Sequence, residues 1–122
     1  MSIKSVVILG ASPDPARFAH KALQKLKLFG HKVILVNPGY EEIEGQIVLA
    51  SLSLIKEPID TLTVYVSPDK SAVLVEDILD LRPQRVIFNP GSESSSVIKA
   101  LEDHRIGYVK ACTLVMLDVG AF

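Results

Sequence analysis

The sequence has few of the features that would support a disulfide framework, a membrane span or a nucleic-acid-binding surface. It contains one cysteine, which excludes an internal disulfide and a metal site built from several cysteines. Its 13 lysines and arginines against 14 acidic residues give a net charge of −1 without a basic block, whereas non-specific nucleic-acid binding requires a positive field. The first apolar run, residues 6–9, is too short for a signal peptide or a membrane span. We therefore expect a cytoplasmic protein with neither a nucleic-acid nor a membrane partner.

The length and the apolar content are those of one packed domain. Hydrophobic residues make up 48% of the 122 residues, which is enough to build a core and argues against disorder. No internal repeat, linker or low-complexity segment divides the chain. We expect residues 1–122 to form a single domain.

The most informative stretch lies near the amino terminus. The uninterrupted apolar run at residues 6–9 is typical of a strand buried on both faces, and the small residues Gly10-Ala11-Ser12 follow it. A helical pattern begins near Pro15. Since the first N–H groups of a helix lack intrahelical partners and carry the positive dipole end, this turn predicts a phosphate site. We expect Gly10 to let the phosphate approach, so that a side chain there blocks binding and leaves the fold largely intact.

Short apolar strands alternate with amphipathic helices along the rest of the chain. We predict main strands at residues 6–9, 32–36, 61–66, 85–88 and 108–111, and helices at residues 16–29, 69–81, 93–104 and 113–119. Residues 40–44 are expected to form a polar loop, and residues 51–55 a helical turn. The alternation predicts an α/β, Rossmann-like three-layer fold with a parallel five-stranded sheet in the order 3-2-1-4-5, to which residues 46–49 could add a short extra edge strand.

All the predicted main strands end in small, neutral or hydrogen-bonding residues. The ends are Gly10-Ala11-Ser12, Asn37-Pro38-Gly39, Ser67-Pro68-Asp69, Asn89-Pro90-Gly91 and Ala111-Cys112-Thr113. Such residues end strands in many proteins, so any one turn is equally well explained without a ligand. Because the carboxyl ends of parallel strands meet at one edge of the sheet, where this fold class binds ligands, the turns together predict a binding groove.

The dinucleotide fingerprint G-x-G-x-x-G is incomplete in this sequence. Gly10 is present, but Ser12 and Pro15 occupy the positions of the second and third glycines. An NAD site also requires an acidic residue at the end of the second strand, where this chain has Asn37. The groove therefore suits a nucleotide with a phosphate on the first turn, and a complete dehydrogenase is not predicted.

Three short motifs in register resemble a known family. They are Gly10-Ala11-Ser12-Pro13-Asp14-Pro15, Val36-Asn37-Pro38 and Val66-Ser67-Pro68. Over nearly its whole length the chain resembles the small stand-alone CoA-binding domain proteins, which are similar to the CoA-binding domain of the succinyl-CoA synthetase α subunit. The resemblance implies a five-stranded Rossmann-like fold with CoA as the cofactor. It also implies that CoA lies across the strand ends, with its pyrophosphate near the Gly10-Ala11-Ser12 turn.

The resemblance further implies a set of cofactor-binding residues. Gly10, Ala11 and Ser12 match the phosphate turn, and Arg17 matches a basic position at the start of the first helix. Arg17 could donate two hydrogen bonds to a phosphate, or it could be a solvated residue of the helix start. The matches at the other strand ends are Asn37 and Pro38 beside the adenosine portion, Val66, Ser67 and Pro68 at the third strand, and Asn89, Pro90 and Gly91 toward the thiol end. The synthetase's phosphorylated histidine lies in a second domain and has no counterpart here, so its reaction is not carried over.

The remaining reactive side chains do not form a catalytic or metal-binding pattern. His20, His31 and His104 lack metal-ligand spacing, and we interpret them as surface or helix-end residues. Cys112 follows a predicted strand, and it is either a small buried side chain or a thiol that faces the groove and forms a mixed disulfide with CoA. Glu44 belongs to an acidic segment that we interpret as a solvated loop. No catalytic residue and no metal ligand are predicted.

Three functions stay open at this point. The first is a binding module for CoA or an acyl-CoA, without a catalytic constellation of its own. The second is an enzyme subunit that uses CoA thioester chemistry, and the third is an NAD(H)- or nucleotide-sensing regulatory domain. The sequence favours a protein that is not an enzyme, because no general base pairs with the Cys112 thiol. The acyl group, the protein partner and the oligomeric state are left open.

Overall fold

The computed structural model describes residues 2–122, in which a central sheet is flanked by helices. The strands are β1 (Ser5–Leu9), β2 (Lys32–Val36), β3 (Glu42–Ile43), β4 (Gln46–Leu49), β5 (Thr61–Val64), β6 (Arg85–Phe88) and β7 (Gly107–Lys110). The helices are α1 (Phe18–Leu28), α2 (Pro68–Ala72), α3 (Val75–Leu81), α4 (Ser95–Asp103) and α5 (Thr113–Asp118), and a 3-10 turn spans Leu52–Leu54. Within these residues seven strands form one sheet in the order β3-β4-β2-β1-β5-β6-β7, and every neighbouring pair is parallel except the antiparallel β3–β4 hairpin. The protein therefore has an α/β Rossmann-like fold with a mostly parallel sheet.

The prediction of a five-stranded, wholly parallel sheet in the order 3-2-1-4-5 is wrong. The strand predicted as the third is β5, and it pairs with β1 on the side opposite β2. The place beside β2 is taken by the short β4, which confirms the optional extra strand predicted at residues 46–49, while β3 forms a hairpin with β4 where a polar loop was predicted. All residues of β5 are buried, as a central strand requires, whereas β4 is partly exposed. When β4 is counted as the third strand, the sheet has the Rossmann order, and the change of direction lies between β1 and β5.

Each face of the sheet has its own apolar core, and β1 contributes to both. Val6 and Ile8 pack with buried residues of α1 and α5 on one face. Val7 and Leu9 pack with buried residues of α3 and α4 on the other face. Burial on both faces explains why β1 is an uninterrupted apolar run, and it holds the carboxyl end of β1 in the middle of the sheet edge.

Helix boundaries differ from the predicted ones where local hydrogen bonds compete with the helix. α1 begins two residues later than predicted, because Oδ1 of Asp14 accepts a hydrogen bond of 2.9 Å from the N–H of Ala16 in a turn. The helix predicted at residues 69–81 is two helices, since the N–H of Leu74 bonds to the carbonyl of Ser71 in a tighter turn. No helix in the described part of the chain is long and apolar enough to cross a membrane.

Candidate functional site

A groove of about 530 Å³ lies at the carboxyl edge of the sheet, over the ends of β1, β2, β5 and β6. Ligands of this fold class bind at this edge. The structure brings most of the predicted binding residues together here: Gly10, Ser12, Arg17, Asn37, Val66, Ser67, Asn89, Pro90 and Gly91. The groove therefore joins residues from four turns that are far apart in the sequence.

Three of the predicted binding residues do not line the groove. The side chain of Ala11 is buried in the core on the α1 side of the sheet. Pro38 is exposed, and Pro68 begins α2, where the missing N–H of a proline leaves no helical bond unmade. At these positions the sequence motif determines the backbone path of the turns rather than the surface of the groove.

The sequence analysis missed several residues that line the groove. These residues are Asp14, Phe18, Ala19, Tyr40, Val64, Tyr65, Lys70 and Ser92. All of them lie outside the three-residue turns on which the prediction concentrated. The first turn of the helix after each strand is the signal that could have found Phe18 and Lys70, because the fold directs that turn toward the same edge.

The turn after β1 uses its own N–H groups for internal hydrogen bonds. The N–H groups of Gly10 and Ala11 both donate to the carbonyl of Val36, at 2.9 and 3.2 Å. Gly10 has a φ of +93°, and a Cβ atom there would lie 2.8 Å from Cγ1 of Val66. The expectation that a side chain at Gly10 leaves the fold largely intact is therefore wrong, because it would displace the chain just after β5.

Open N–H groups lie slightly further along, at the end of this turn and in the first turn of α1. Within residues 2–122 the N–H groups of Ser12, Phe18 and Ala19 donate no hydrogen bond. Arg17 occupies the N-cap position, and its side chain does not cap the helix. Since the N–H groups of Phe18 and Ala19 lie at the positive end of the helix dipole, the start of α1 favours an anion.

Two cationic side chains border the groove without an acidic partner. Arg17, before α1, and Lys70, in α2, are exposed, and neither makes an ion pair or a side-chain hydrogen bond within the part of the chain that the structure describes. The acidic residue of the lining, Asp14, already accepts a hydrogen bond from the N–H of Ala16. The lining therefore has a surplus of positive charge, which favours an anionic ligand.

Asn37, at the end of β2, has its side-chain amide engaged at both atoms. Nδ2 donates to the carbonyl of Ala11 at 2.8 Å, and Oδ1 accepts from the N–H of Gly39 at 2.8 Å. The amide thus ties the turn after β1 to the turn after β2. Where an NAD site has a carboxylate that binds the ribose, this chain has a neutral amide with an internal role.

Asn89 joins three elements beneath the groove. Its Nδ2 donates to Oγ1 of Thr63 at 2.7 Å and to the carbonyl of Val64 at 2.9 Å. Its Oδ1 accepts from the N–H of Thr113 at 2.9 Å, and the hydroxyls of Thr63 and Thr113 are bonded at 2.8 Å. Because these side chains are buried, the network fixes the end of β6 and the start of α5 relative to β5.

Tyr65 forms part of the groove wall while its hydroxyl is buried. The hydroxyl makes no well-formed hydrogen bond within residues 2–122, although Thr63 and Thr113 lie close to it. Burial raises the pKa of Tyr65 to about 12. The phenol is therefore neutral at physiological pH, and its ring packs against the core.

Cys112 lies outside the groove lining. It is half-buried and occupies the N-cap position of α5. The position of Cys112 therefore gives no support to the hypothesis that its thiol faces the groove. Among residues 2–122 no group of three or more His, Cys, Asp or Glu side chains is placed to hold a metal ion.

Two of the histidines are buried, where surface or helix-end residues were predicted. Nε2 of His20 bonds to Oε1 of Glu44 at 2.8 Å, and Gln24 donates to the same oxygen at 3.1 Å. The hydrogen bond from His20, followed by that from Gln24, lowers the pKa of Glu44 below its usual range. Nδ1 of His31 accepts a hydrogen bond of 3.0 Å from the N–H of Lys4, and burial lowers the pKa of His31. Both histidines hold separate segments of the fold together.

Solved structures share this fold over most or all of the chain. A protein described as uncharacterized is 38% identical and superimposes over 100% of both chains with a TM-score of 0.94. A dinucleotide-forming acetyl-coenzyme A synthetase from Ca. Korarchaeum cryptofilum, solved with phosphate and ADP, superimposes over 88% of this chain and 25% of its own with a TM-score of 0.76. At 17% identity, the second likeness shows the fold alone.

Sequence comparison gives the family. YneT, an uncharacterized protein of Bacillus subtilis, is 29% identical over 77 residues, which are 63% of this chain. The match spans 57% of the length of that relative. Residues 4–118 match the model of the CoA binding domain family, which is nearly the whole chain. The protein therefore belongs to the CoA-binding domain family.

Proposed function

We propose that this protein binds CoA or an acyl-CoA in the groove, with the pyrophosphate near the Gly10-Ala11-Ser12 turn and the first turn of α1. Membership of the CoA-binding domain family supports CoA as the ligand in general. The observation that carries the placement is that open backbone N–H groups and unpaired cations lie in one groove.

A phosphate at the start of α1 would satisfy groups that the fold leaves open. The N–H groups of Phe18 and Ala19 would donate to its oxygens at the positive end of the helix dipole, and the N–H of Ser12 would donate from the turn after β1. Arg17 belongs to the same turn, and Lys70 borders the groove from α2. Two cations on separate elements suit a ligand with more than one phosphate group, and a pyrophosphate meets that requirement.

The other predicted binding residues suggest where the remaining parts of CoA would lie in the groove. The adenosine portion would lie beside Asn37, at the end of β2, where Pro38 would act indirectly through the path of the turn. The arm that bears the thiol would extend past the end of β5 toward β6, along Val66, Ser67, Asn89, Pro90 and Gly91, while Pro68 would act indirectly by starting α2 beside it. The charged residues of the lining, Asp14, Arg17 and Lys70, lie in the segment before α1 and in α2, whereas the end of β6 is neutral. A neutral surface suits an uncharged pantetheine arm, because no charge has to lose its water there.

We propose a binding role rather than a catalytic one. The side-chain amides of Asn37 and Asn89 are engaged in hydrogen bonds within the fold. The phenol of Tyr65 has a pKa of about 12, whereas efficient proton transfer requires a pKa near the working pH. These polar groups therefore shape and support the groove.

Calorimetric titration of the protein with CoA, NADH and ATP tests the proposal. We expect CoA to bind and NADH not to bind, because the end of β2 offers no carboxylate to the ribose. Arg17→Ala should weaken CoA binding by about 1.5–3 kcal/mol, the range for a hydrogen bond to a charged group. Lys27→Ala is the matched control, since Lys27 is exposed near the other end of α1 and outside the groove.

Two outcomes would contradict the proposal in different ways. Binding of NADH without CoA would favour the dinucleotide-sensing alternative. Equal CoA affinity of the Arg17→Ala and Lys27→Ala variants would remove Arg17 from the phosphate site.

A further inference from the structure

We propose that Phe18 and Tyr40 form an aromatic subsite that stacks against the adenine base of the bound cofactor. The inference rests on the proposed function, because it assigns one part of the same ligand to one part of the same groove. It adds two binding residues that the family motifs do not include.

The first observation is the exposure of these two rings. Phe18 is 65% exposed and Tyr40 is 43% exposed, and both line the groove. Phe88 and Phe122, by contrast, are 0% and 7% exposed, and the other exposed phenylalanine, Phe29, lies outside the groove. Burial of a large apolar ring is favourable, so an exposed ring lacks that stabilisation. A planar ligand in the groove would recover part of it for both rings.

The second observation is where the rings lie relative to the phosphate site. Phe18 is the first residue of α1, and its own N–H is one of the open donors of that turn. Tyr40 lies three residues beyond Asn37, past the end of β2. In Rossmann-like folds the ribose lies over the end of the second strand, so the base that it carries extends beyond that end. A ligand whose phosphate is at α1 thus brings its base to Tyr40 and Phe18.

The third observation concerns the side chain next to Phe18. The ammonium group of Lys21 lies 5.4 Å from the centroid of the Phe18 ring, in a cation–π contact. This contact restrains an otherwise exposed ring at the edge of the groove. A restrained ring loses less side-chain entropy when a base stacks on it.

Alanine substitution of each ring tests the subsite. Phe18→Ala and Tyr40→Ala should each weaken the binding of CoA, and of its adenosine bisphosphate half, by about 5- to 150-fold, the range for base–aromatic stacking. The phosphopantetheine half of CoA should bind all variants alike. Phe29→Ala is the matched control, because Phe29 is 39% exposed but lies at the other end of α1 and outside the groove. Thermal unfolding of each variant checks that the fold is intact.

Tyrosine emission gives a direct readout of stacking. The chain has three tyrosines and no tryptophan, so Tyr40 is the only such fluorophore in the variant that carries Tyr65→Phe and Tyr108→Phe. We expect CoA to quench this emission and phosphopantetheine to leave it unchanged. If wild-type protein binds CoA while Phe18→Ala and Tyr40→Ala match Phe29→Ala, the aromatic subsite is overturned and the proposed function stands. If wild-type protein does not bind CoA, both proposals fail.

Discussion

The residue Gly10 approaches Val66 so closely that a Cβ atom added to the glycine would lie 2.8 Å from Cγ1 of the valine. The same Cβ would lie 3.3 Å from the backbone carbonyl carbon of Tyr65, and the φ of Gly10 is +93°. The turn after β1 and the segment after β5 are therefore packed backbone against backbone. This contact sets the floor of the groove.

Gly10→Ala is expected to lower the free energy of unfolding by about 2–5 kcal/mol, from backbone strain and overpacking together. Gly30→Ala is the matched control, because Gly30 has a φ of +85° and no atom within 4 Å of the added Cβ. It should cost about 1–2 kcal/mol, the strain of a left-handed residue alone. Urea unfolding of both variants measures the difference. Equal losses would show that the contact with Val66 does not matter.

Asn89→Ala should lower the free energy of unfolding by about 2–4 kcal/mol, since it leaves buried partners on β5 and α5 without their hydrogen bonds. The neighbouring Glu93 is exposed, and Glu93→Ala should change stability by less than about 0.5 kcal/mol. Chemical denaturation of both variants tests this. An Asn89→Ala protein as stable as wild type would mean that the amide does not hold these elements together.

Tyr65→Phe should leave stability at neutral pH unchanged or raise it by up to about 1 kcal/mol, because the hydroxyl that it removes is buried without a well-formed hydrogen bond. The raised pKa of Tyr65, about 12, predicts a further difference in alkaline solution. Above the usual tyrosine pKa the unfolded chain loses this proton first, so wild-type stability falls as the pH rises. The variant should lack this part of the alkaline loss, and denaturation as a function of pH measures it. A destabilised variant at neutral pH would show that the hydroxyl has a partner.

Glu44→Gln should destabilise the protein at neutral pH, because the carboxylate accepts hydrogen bonds from His20 and Gln24. The lowered pKa of Glu44 fixes the pH dependence. Its contribution is present above the ordinary glutamate pKa and is lost as the pH falls through the lower folded value. The stability gap between wild type and Glu44→Gln should therefore close in acid. Glu41→Gln, at an exposed position of the same segment, should show no gap at any pH.

The central part of the fold could be predicted because burial on both faces leaves a clear pattern in the sequence. The run at residues 6–9 is apolar without interruption, and it is the strand with core on both sides. The strand order could not be predicted in the same way. β4 has four residues and β3 has two, which are too few to show an alternating pattern. Without β4 among the main strands, the prediction placed the strand at residues 61–66 beside β2, where β4 lies.

The candidate site was predicted where the backbone turns and missed where side chains reach in from helices. Asn37 and Asn89 were found as strand ends, although their hydrogen bonds to distant residues are invisible in the sequence. In the sequence, Phe18 and Lys70 have no feature that distinguishes them from other exposed residues near the start of a helix. Only the sheet topology brings these two residues, from different helices, to one groove. The burial of His20 was missed for a similar reason, because its partner Glu44 lies on a separate hairpin.

The donors that α1 leaves open at its first turn belong to the main chain. Every amino acid except proline carries such an N–H group, so exchanging Phe18 or Ala19 for another residue that is not proline alters the side chain without removing the donor. An anion held there would be recognised by the course of the polypeptide rather than by the identity of its residues. Divergent relatives could therefore retain the same anion-binding N–H groups after most of the surrounding residues have changed. Percentage sequence identity would then understate how widely this anion site is shared.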